Sequence, residues 1–180
     1  TEQILGLLKE NQTTQVMLLS NSQSKTQETN LIYYQIKKKL DEKKKQEQSV
    51  NIQEYNIDSN SGFDTEEFVR DIFVNGGTLP DVLVCMDEVV TECVYQALID
   101  YNEVGNVDVV GFYYSDVILD AISKGIISSA IALDMKEIGT YSVNALVEYS
   151  SLGHTSSYYS VGQHVINKNN VCTYRTGEGY

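Results

Sequence analysis

His154 and His164 are the only histidines in the chain, and the segment GHTSS sets His154 two and three residues before Ser156 and Ser157. A base beside a hydroxyl is the smallest unit of acyl-transfer chemistry. The G-x-S-x-G elbow that would expose such a serine is missing, and GHTSS reads as a loop. Carboxylate pairs occur at Glu66–Glu67 and Asp87–Glu88. Both fall at the starts of predicted helices, where the helix dipole favours solvated acids. Cys85, Cys93 and Cys172 are odd in number and lack CxxC spacing, so they frame neither a disulfide set nor a zinc site. Cys85 ends an apolar strand and Cys93 lies in a helix, places where a thiol serves as a small core residue. Neither a phosphate loop of the G-x-x-x-x-G-K-[ST] type nor a dinucleotide fingerprint is present. The expectation is a non-enzymatic protein with no catalytic residue, no cofactor and no metal.

Charge and hydropathy narrow the partners. The 180 residues carry a formal net charge of -12, and 42% are hydrophobic. Phosphate backbones demand a basic footprint, so nucleic acid is not an expected partner. Lys37, Lys38, Lys39, Lys43, Lys44 and Lys45 are interleaved with Asp41, Glu42 and Glu47, which reads as a solvated helix end. No apolar run approaches the roughly 20 residues of a membrane span, and no signal-peptide pattern opens the chain. It begins at Thr1 inside what reads as a helix, so a fragment of something longer is expected. The 13 tyrosines include the pairs Tyr33–Tyr34, Tyr113–Tyr114 and Tyr158–Tyr159. In each pair one ring is expected in the core and the other at the surface.

The elements that must position these residues alternate between strand and helix. A short amphipathic helix built on Ile4, Leu5, Leu7 and Leu8 should end near Asn11. Strands are expected over 16–20, 49–57, 82–85, 107–111, 129–133 and 158–166. Helices should run from about 26 into the Lys-rich segment, with Leu31, Tyr34 and Leu40 among its apolar positions, and over 88–101, 116–124 and 136–150. Another should be capped by Asp64 or Thr65, carry Phe68, Val69, Ile72 and Phe73 as its buried stripe, and end at Gly76 and Gly77. This cadence calls for one α/β domain over 1–180: a mainly parallel, doubly wound, Rossmann-like sheet with helices on both faces. The strand at 49–57, which alternates, should lie nearer an edge. Ligands of such sheets bind at the carboxyl ends of the strands.

Four segments, in order, resemble the type I periplasmic binding proteins and the ligand-binding domains of LacI-type repressors. They are VMLLSNSQS, LPDVLVCMDEVVTECVYQAL, VDVVGFYYSDVILDAISKGIISSAIALDMKEIGTYSVNAL and HVINKNNV. The resemblance covers only the second part of the family's length and implies the carboxyl-terminal lobe of a two-lobed fold, with the segment 135–166 crossing to a missing amino-terminal lobe. The motif order implies a sheet with the strand at 16–19 central, 52–57 beside it at the edge, and 82–85, 107–111 and 130–133 following on the other side. It also implies ligand-facing positions at Asn21, Ser22, Met86, Asp87, Tyr113, Tyr114, Leu133 and Asp134. Where the family carries an amide, an Asp and a Gln, this chain has Met86, Tyr113 and Leu133, and the arginine that begins the family's first long helix is missing from 26–31.

Two readings follow from the resemblance. One is a non-catalytic solute- or sugar-type binding domain used in uptake or sensing, with its polar grips replaced by an apolar wall. The other is a degenerate interaction or dimerisation domain without a ligand, such as the effector domain of a LacI-type regulator. Asp87 has its own alternative, a helix N-cap carboxylate. The resemblance implies an extracytoplasmic location for a receptor and a cytoplasmic one for a repressor. In the family the helix from Ile138 to Tyr149 packs on the missing lobe. Its stripe of Ile138, Tyr141, Ala145, Leu146 and Tyr149 should be covered by that lobe, by a second copy of the chain, or by docking back on its own sheet.

Overall fold

The computed structural model describes residues 1–9, 12–21, 27–44, 50–59 and 61–175. Among them the order is α1 (Glu2–Gly6), β1 (Thr14–Asn21), α2 (Gln27–Lys44), β2 (Val50–Ile57), α3 (Gly62–Asn75), β3 (Val82–Cys85), α4 (Glu88–Asp100), β4 (Asp108–Phe112), α5 (Asp116–Lys124), β5 (Ser129–Leu133), α6 (Met135–Leu152), β6 (Gln163–Asn167) and α7 (Val171–Arg175). The six strands form one sheet in the order β2-β1-β3-β4-β5-β6. Every neighbouring pair is parallel except β5–β6, which is antiparallel. The order of β2, β1, β3, β4 and β5 is the one that the motif order implies, and β6 adds an antiparallel strand at the far edge, beyond β5.

Period-two alternation divides the core between the two faces of the sheet. Met17, Leu19, Leu83, Cys85, Val109 and Ala130 pack with α3, α4 and α5. Val16, Leu18, Val82, Val84 and Val110 pack with Ile4 and Leu8 near α1 and with Ile36 and Leu40 of α2. One glycine lets the layers meet closely. A Cβ at Gly111 would lie 2.5 Å from Cγ2 of Thr91. Thr91 is itself fully buried and stitches α4 to β4: its hydroxyl donates to the Asp87 carbonyl (2.7 Å) and accepts from the Phe112 N–H (3.1 Å).

Several local expectations are corrected. Helix α1 stops at Gly6, well short of Asn11. Ser61 caps α3, its side chain accepting from the Asp64 N–H at 3.2 Å, while Thr65 is buried and bonds Ser59. The earlier cap wins because Ser61 is extended and its hydroxyl reaches the third residue on. In α2, Tyr34 is exposed and Ile36 takes the buried place. The last strand starts at Gln163 because residues 153–162 must first return from the end of α6. Helix α7 was not anticipated; Val171 is buried and Arg175 bonds Asp120 of α5 at 2.8 Å.

Helix α6 has no buried residue, so it does not dock back on the sheet. The expected stripe is split. Ile138, Tyr141 and Ala145 are half-buried, as Leu146 and Tyr149 are not. The returning segment contributes to that cover: Tyr159 stacks on Tyr141 at 5.5 Å, and Thr155 and Tyr159 donate to Glu148. Leu146 is 71% and Tyr149 60% exposed, beside exposed Val143 and Val147.

Candidate functional site

Because β1, β3, β4 and β5 run the same way, their carboxyl ends share one edge of the sheet. The register sets Leu19 beside Cys85, Val84 beside Val110 and Phe112 beside Ile131. Asn21, Met86, Asp87, Tyr113, Tyr114, Leu133 and Asp134 therefore emerge together on that edge, as the sequence reading expects. Ser22 lies outside the described residues.

Their side chains are engaged differently. Asp87 caps α4, accepting from the Val90 N–H at 3.2 Å. Asp134 caps α6, accepting from the Glu137 N–H at 2.9 Å, with the Nε2 of His164 3.4 Å from its other oxygen. The Glu137 N–H, followed by His164, holds the Asp134 carboxyl below the usual aspartate range against a smaller opposing effect of desolvation. Both acids thus stabilise helix starts, the role open to Asp87 from sequence alone. Tyr113 has φ 67°, a left-handed conformation uncommon for a bulky residue and costing about 1–3 kcal/mol. Its ring stacks on Tyr114 at 5.2 Å, and Tyr114 meets Tyr174 at 5.9 Å. Both rings of this pair are half-buried, and Tyr114 is the one packed against the core; Tyr158 is exposed, but half-buried Tyr159 rests on Tyr141 of α6 and not in the core, so the expected division into core and surface fails for that pair.

The edge is acidic. Burial, then the charges of Glu92 and Asp87, push the Glu88 carboxyl above its ordinary value. Glu92 in turn accepts from the Ser115 hydroxyl at 2.5 Å. Such surroundings repel anions and offer a neutral solute no counter-charge problem.

A cleft of about 140 Å³ opens beside this edge, on the face covered by α1 and α2. Met86, Phe112 and Ile131 wall it, and Gln3, Gln35 and Gln163 stand at it. Of the expected ligand positions among the described residues, only Met86 lines it. Ile131 was legible as a strand residue but not as a cleft wall, since that depends on which face α1 and α2 leave open, and Phe112 lies one residue past the expected strand 107–111 because β4 runs on to it. Gln163 could not be found because the start of β6 was misplaced.

The other chemistry-bearing residues stay apart. His154 Nδ1 is 3.1 Å from the Leu152 carbonyl, and Ser156 donates to the Tyr158 carbonyl. Burial pushes the Cys85 thiol up to about 12 and the Cys93 thiol up to about 11. Among the described residues no group of three or more His, Cys, Asp or Glu side chains could hold a metal. No helix among them is long and apolar enough to cross a membrane.

No sequence-family model matches the chain, and no curated sequence matches it either. Solved structures do. An ABC transporter solute-binding protein from Agrobacterium vitis with bound D-fucose superposes with TM-score 0.75 at 12% identity, over 98% of this chain and 58% of that one. The fold is that of one lobe of the ABC transporter solute-binding proteins. A second such protein, from Bacillus halodurans C-125 with bound myo-inositol, gives TM-score 0.73 at 15% identity, over 96% of this chain and 56% of that one. XylFII gives 0.70 at 20% identity, over 87% and 54%. The chain thus spans just over half the length of each of these three structures. The type I periplasmic binding protein fold expected from the sequence motifs is the fold observed.

Proposed function

We propose that this chain is the carboxyl-terminal lobe of a two-lobed, non-catalytic receptor that binds a small neutral solute for uptake or sensing outside the cytoplasm. The observation that carries the reading is the shared carboxyl edge of β1, β3, β4 and β5, in a fold whose solved neighbours hold D-fucose and myo-inositol. At that edge Met86, Tyr113, Tyr114 and Leu133 offer aromatic and aliphatic surface, while Asp87 and Asp134 accept from helix N–H groups. A buried sugar hydroxyl left without a partner costs about 1–3 kcal/mol. Replacing the family's amide, Asp and Gln by Met86, Tyr113 and Leu133 therefore favours a solute with an apolar face over a simple hexose.

Calorimetry of the complete two-lobed protein against a panel of pentoses, hexoses and inositols tests the reading. Weak or absent sugar binding is expected. A micromolar dissociation constant for any simple sugar would mean that other residues supply the polar grips.

The exposed face of α6 favours a second component of the proposal, a partner surface. Val143, Leu146, Val147 and Tyr149 make an apolar patch that a stable protein covers, by the other lobe or by a second copy of the chain. Light scattering of this chain alone should report a dimer that Leu146→Glu dissociates. A stable monomer with a solvated α6 would remove the second copy as an occupant.

A further inference from the structure

We propose that the solute of the carboxyl edge is an uncharged planar ring with a hydrogen-bond donor on its rim, stacked on Tyr113; this rests on the receptor reading above and names the class of molecule it would bind. The backbone gives the first indication. Tyr113 directly follows β4 and holds φ 67°. Glycine or asparagine would occupy that left-handed conformation with less strain than a bulky ring. Strain of this kind persists where a side chain is needed at a functional site. The packing gives the second indication. Tyr113 belongs to neither buried cluster of the core and is not packed against either, so the fold does not use it as core filling. Its ring lies on Tyr114 at 5.2 Å with the planes 19° apart. Tyr114 is packed against the core and meets Tyr174 of α7 at 5.9 Å. One face of Tyr113 is thereby backed by a ring anchored in the protein.

A planar ring laid on the other face of Tyr113 continues the stack, and offset stacking favours a flat unsaturated partner over a puckered one. The neighbouring strands agree with that choice. Met86, just past β3, and Leu133, which ends β5, flank the end of β4 and are half-buried. Both are apolar, and a thioether gains a further attraction at an aromatic edge. The polar groups of the edge accept rather than donate. The Asp87 carboxylate takes the Val90 N–H, and the Glu92 carboxylate takes the Ser115 hydroxyl. An ionised carboxylate has about four acceptor sites, so both retain capacity for an N–H or O–H on the rim of the ring. The same carboxylates repel an anion.

Phenol, cyclohexanol and anisole are the probes, each titrated into the ¹⁵N-labelled 180-residue chain and followed by amide shifts. Phenol has the flat ring and the donor; cyclohexanol keeps the donor without the flat ring, and anisole keeps the ring without the donor. Phenol should bind saturably with a dissociation constant of about 1–10 mM, as expected for so few atoms. The shifts should centre on Tyr113. Cyclohexanol and anisole should each bind about 2- to 10-fold more weakly, the value of one ring stack or one hydrogen bond. Tyr113→Leu, which keeps the strained backbone and loses the ring, should weaken phenol about 2- to 10-fold. Tyr113→Asn should also lose the stack, yet without lowering the urea midpoint, because asparagine relieves the left-handed conformation. No saturable shift at Tyr113, cyclohexanol or anisole matching phenol, or wild-type phenol affinity in Tyr113→Leu would overturn the proposal. A clear fall of the midpoint in Tyr113→Asn would overturn it too, since the ring would then be structural. Sugar calorimetry of the two-lobed protein enters none of these outcomes, so the planar-ring assignment and the receptor reading fail separately.

Discussion

Gly111→Ala is the sharpest test of how β4 and α4 are joined. The new Cβ would sit 2.5 Å from Thr91 Cγ2, 3.4 Å from Oγ1 and 3.6 Å from Cβ, all on one fully buried side chain. Thr91 cannot rotate away freely, because its hydroxyl holds the Asp87 carbonyl and the Phe112 N–H. Overpacking of this kind costs about 1–3 kcal/mol. Weakening one of the two hydrogen bonds adds about 1 kcal/mol. Replacing glycine restores about 0.5–1 kcal/mol through the unfolded chain. The net expectation is a loss of about 1–3 kcal/mol, read as a lower urea midpoint at unchanged slope. Thr91→Ser removes only the clashing methyl and keeps both hydrogen bonds. The double variant should therefore be more stable than Gly111→Ala alone, with a favourable coupling of about 1 kcal/mol or more. Additive effects, or a Gly111→Ala protein within about 0.5 kcal/mol of wild type, would refute the close-approach argument.

Asp87→Ala should cost about 0.5–2 kcal/mol in denaturant melts as an N-cap loss, while Asp87→Asn should be nearly neutral; loss of solute binding in Asp87→Asn without loss of stability would instead make Asp87 a ligand anchor. Asp81 links the chain after α1 to the start of β1, accepting from Lys9 Nζ at 2.5 Å and from the Gln15 N–H at 2.7 Å. Desolvation raises its carboxyl, but the bonds from Lys9 and Gln15 outweigh it and the group sits below its ordinary value of about 3.8. A depressed folded value stabilises above the ordinary one and ceases to do so as pH falls through the folded one. The melting-temperature gap between wild type and Asp81→Asn should therefore be full at pH 6 and close as pH drops below about 3.8; a gap that persists at pH 2 would contradict the ion pair. At pH 8 a thiol reagent should label exposed Cys172 first and spare Cys85 until unfolding, and rapid labelling of Cys85 in the native protein would show that its layer opens.

The order of the motifs along the chain was enough to order five of the six strands. Apolar runs such as VLVC and SAIAL are too short for helices and are bounded by turn residues, so they read as buried strands, and the helices between them called for parallel crossovers. It was enough also to bring Met86, Asp87, Tyr113, Leu133 and Asp134 to one edge, since each ends a strand of the same direction or lies within two residues of its end. What each side chain does there was decided by contacts distant in sequence. Asp134 meets His164 across 30 residues, and Tyr114 meets Tyr174 across the length of β5, α6 and β6. The apolar stripe of α6 was visible in its periodicity, but only the return of residues 153–162 determined that Tyr141 is half-covered and Leu146 is not. The cleft is a property of no segment at all. It exists because α1 and α2 cover β1 and β3 and leave the tops of β4 and β5 open, and a gap between packed elements has no residue pattern to announce it.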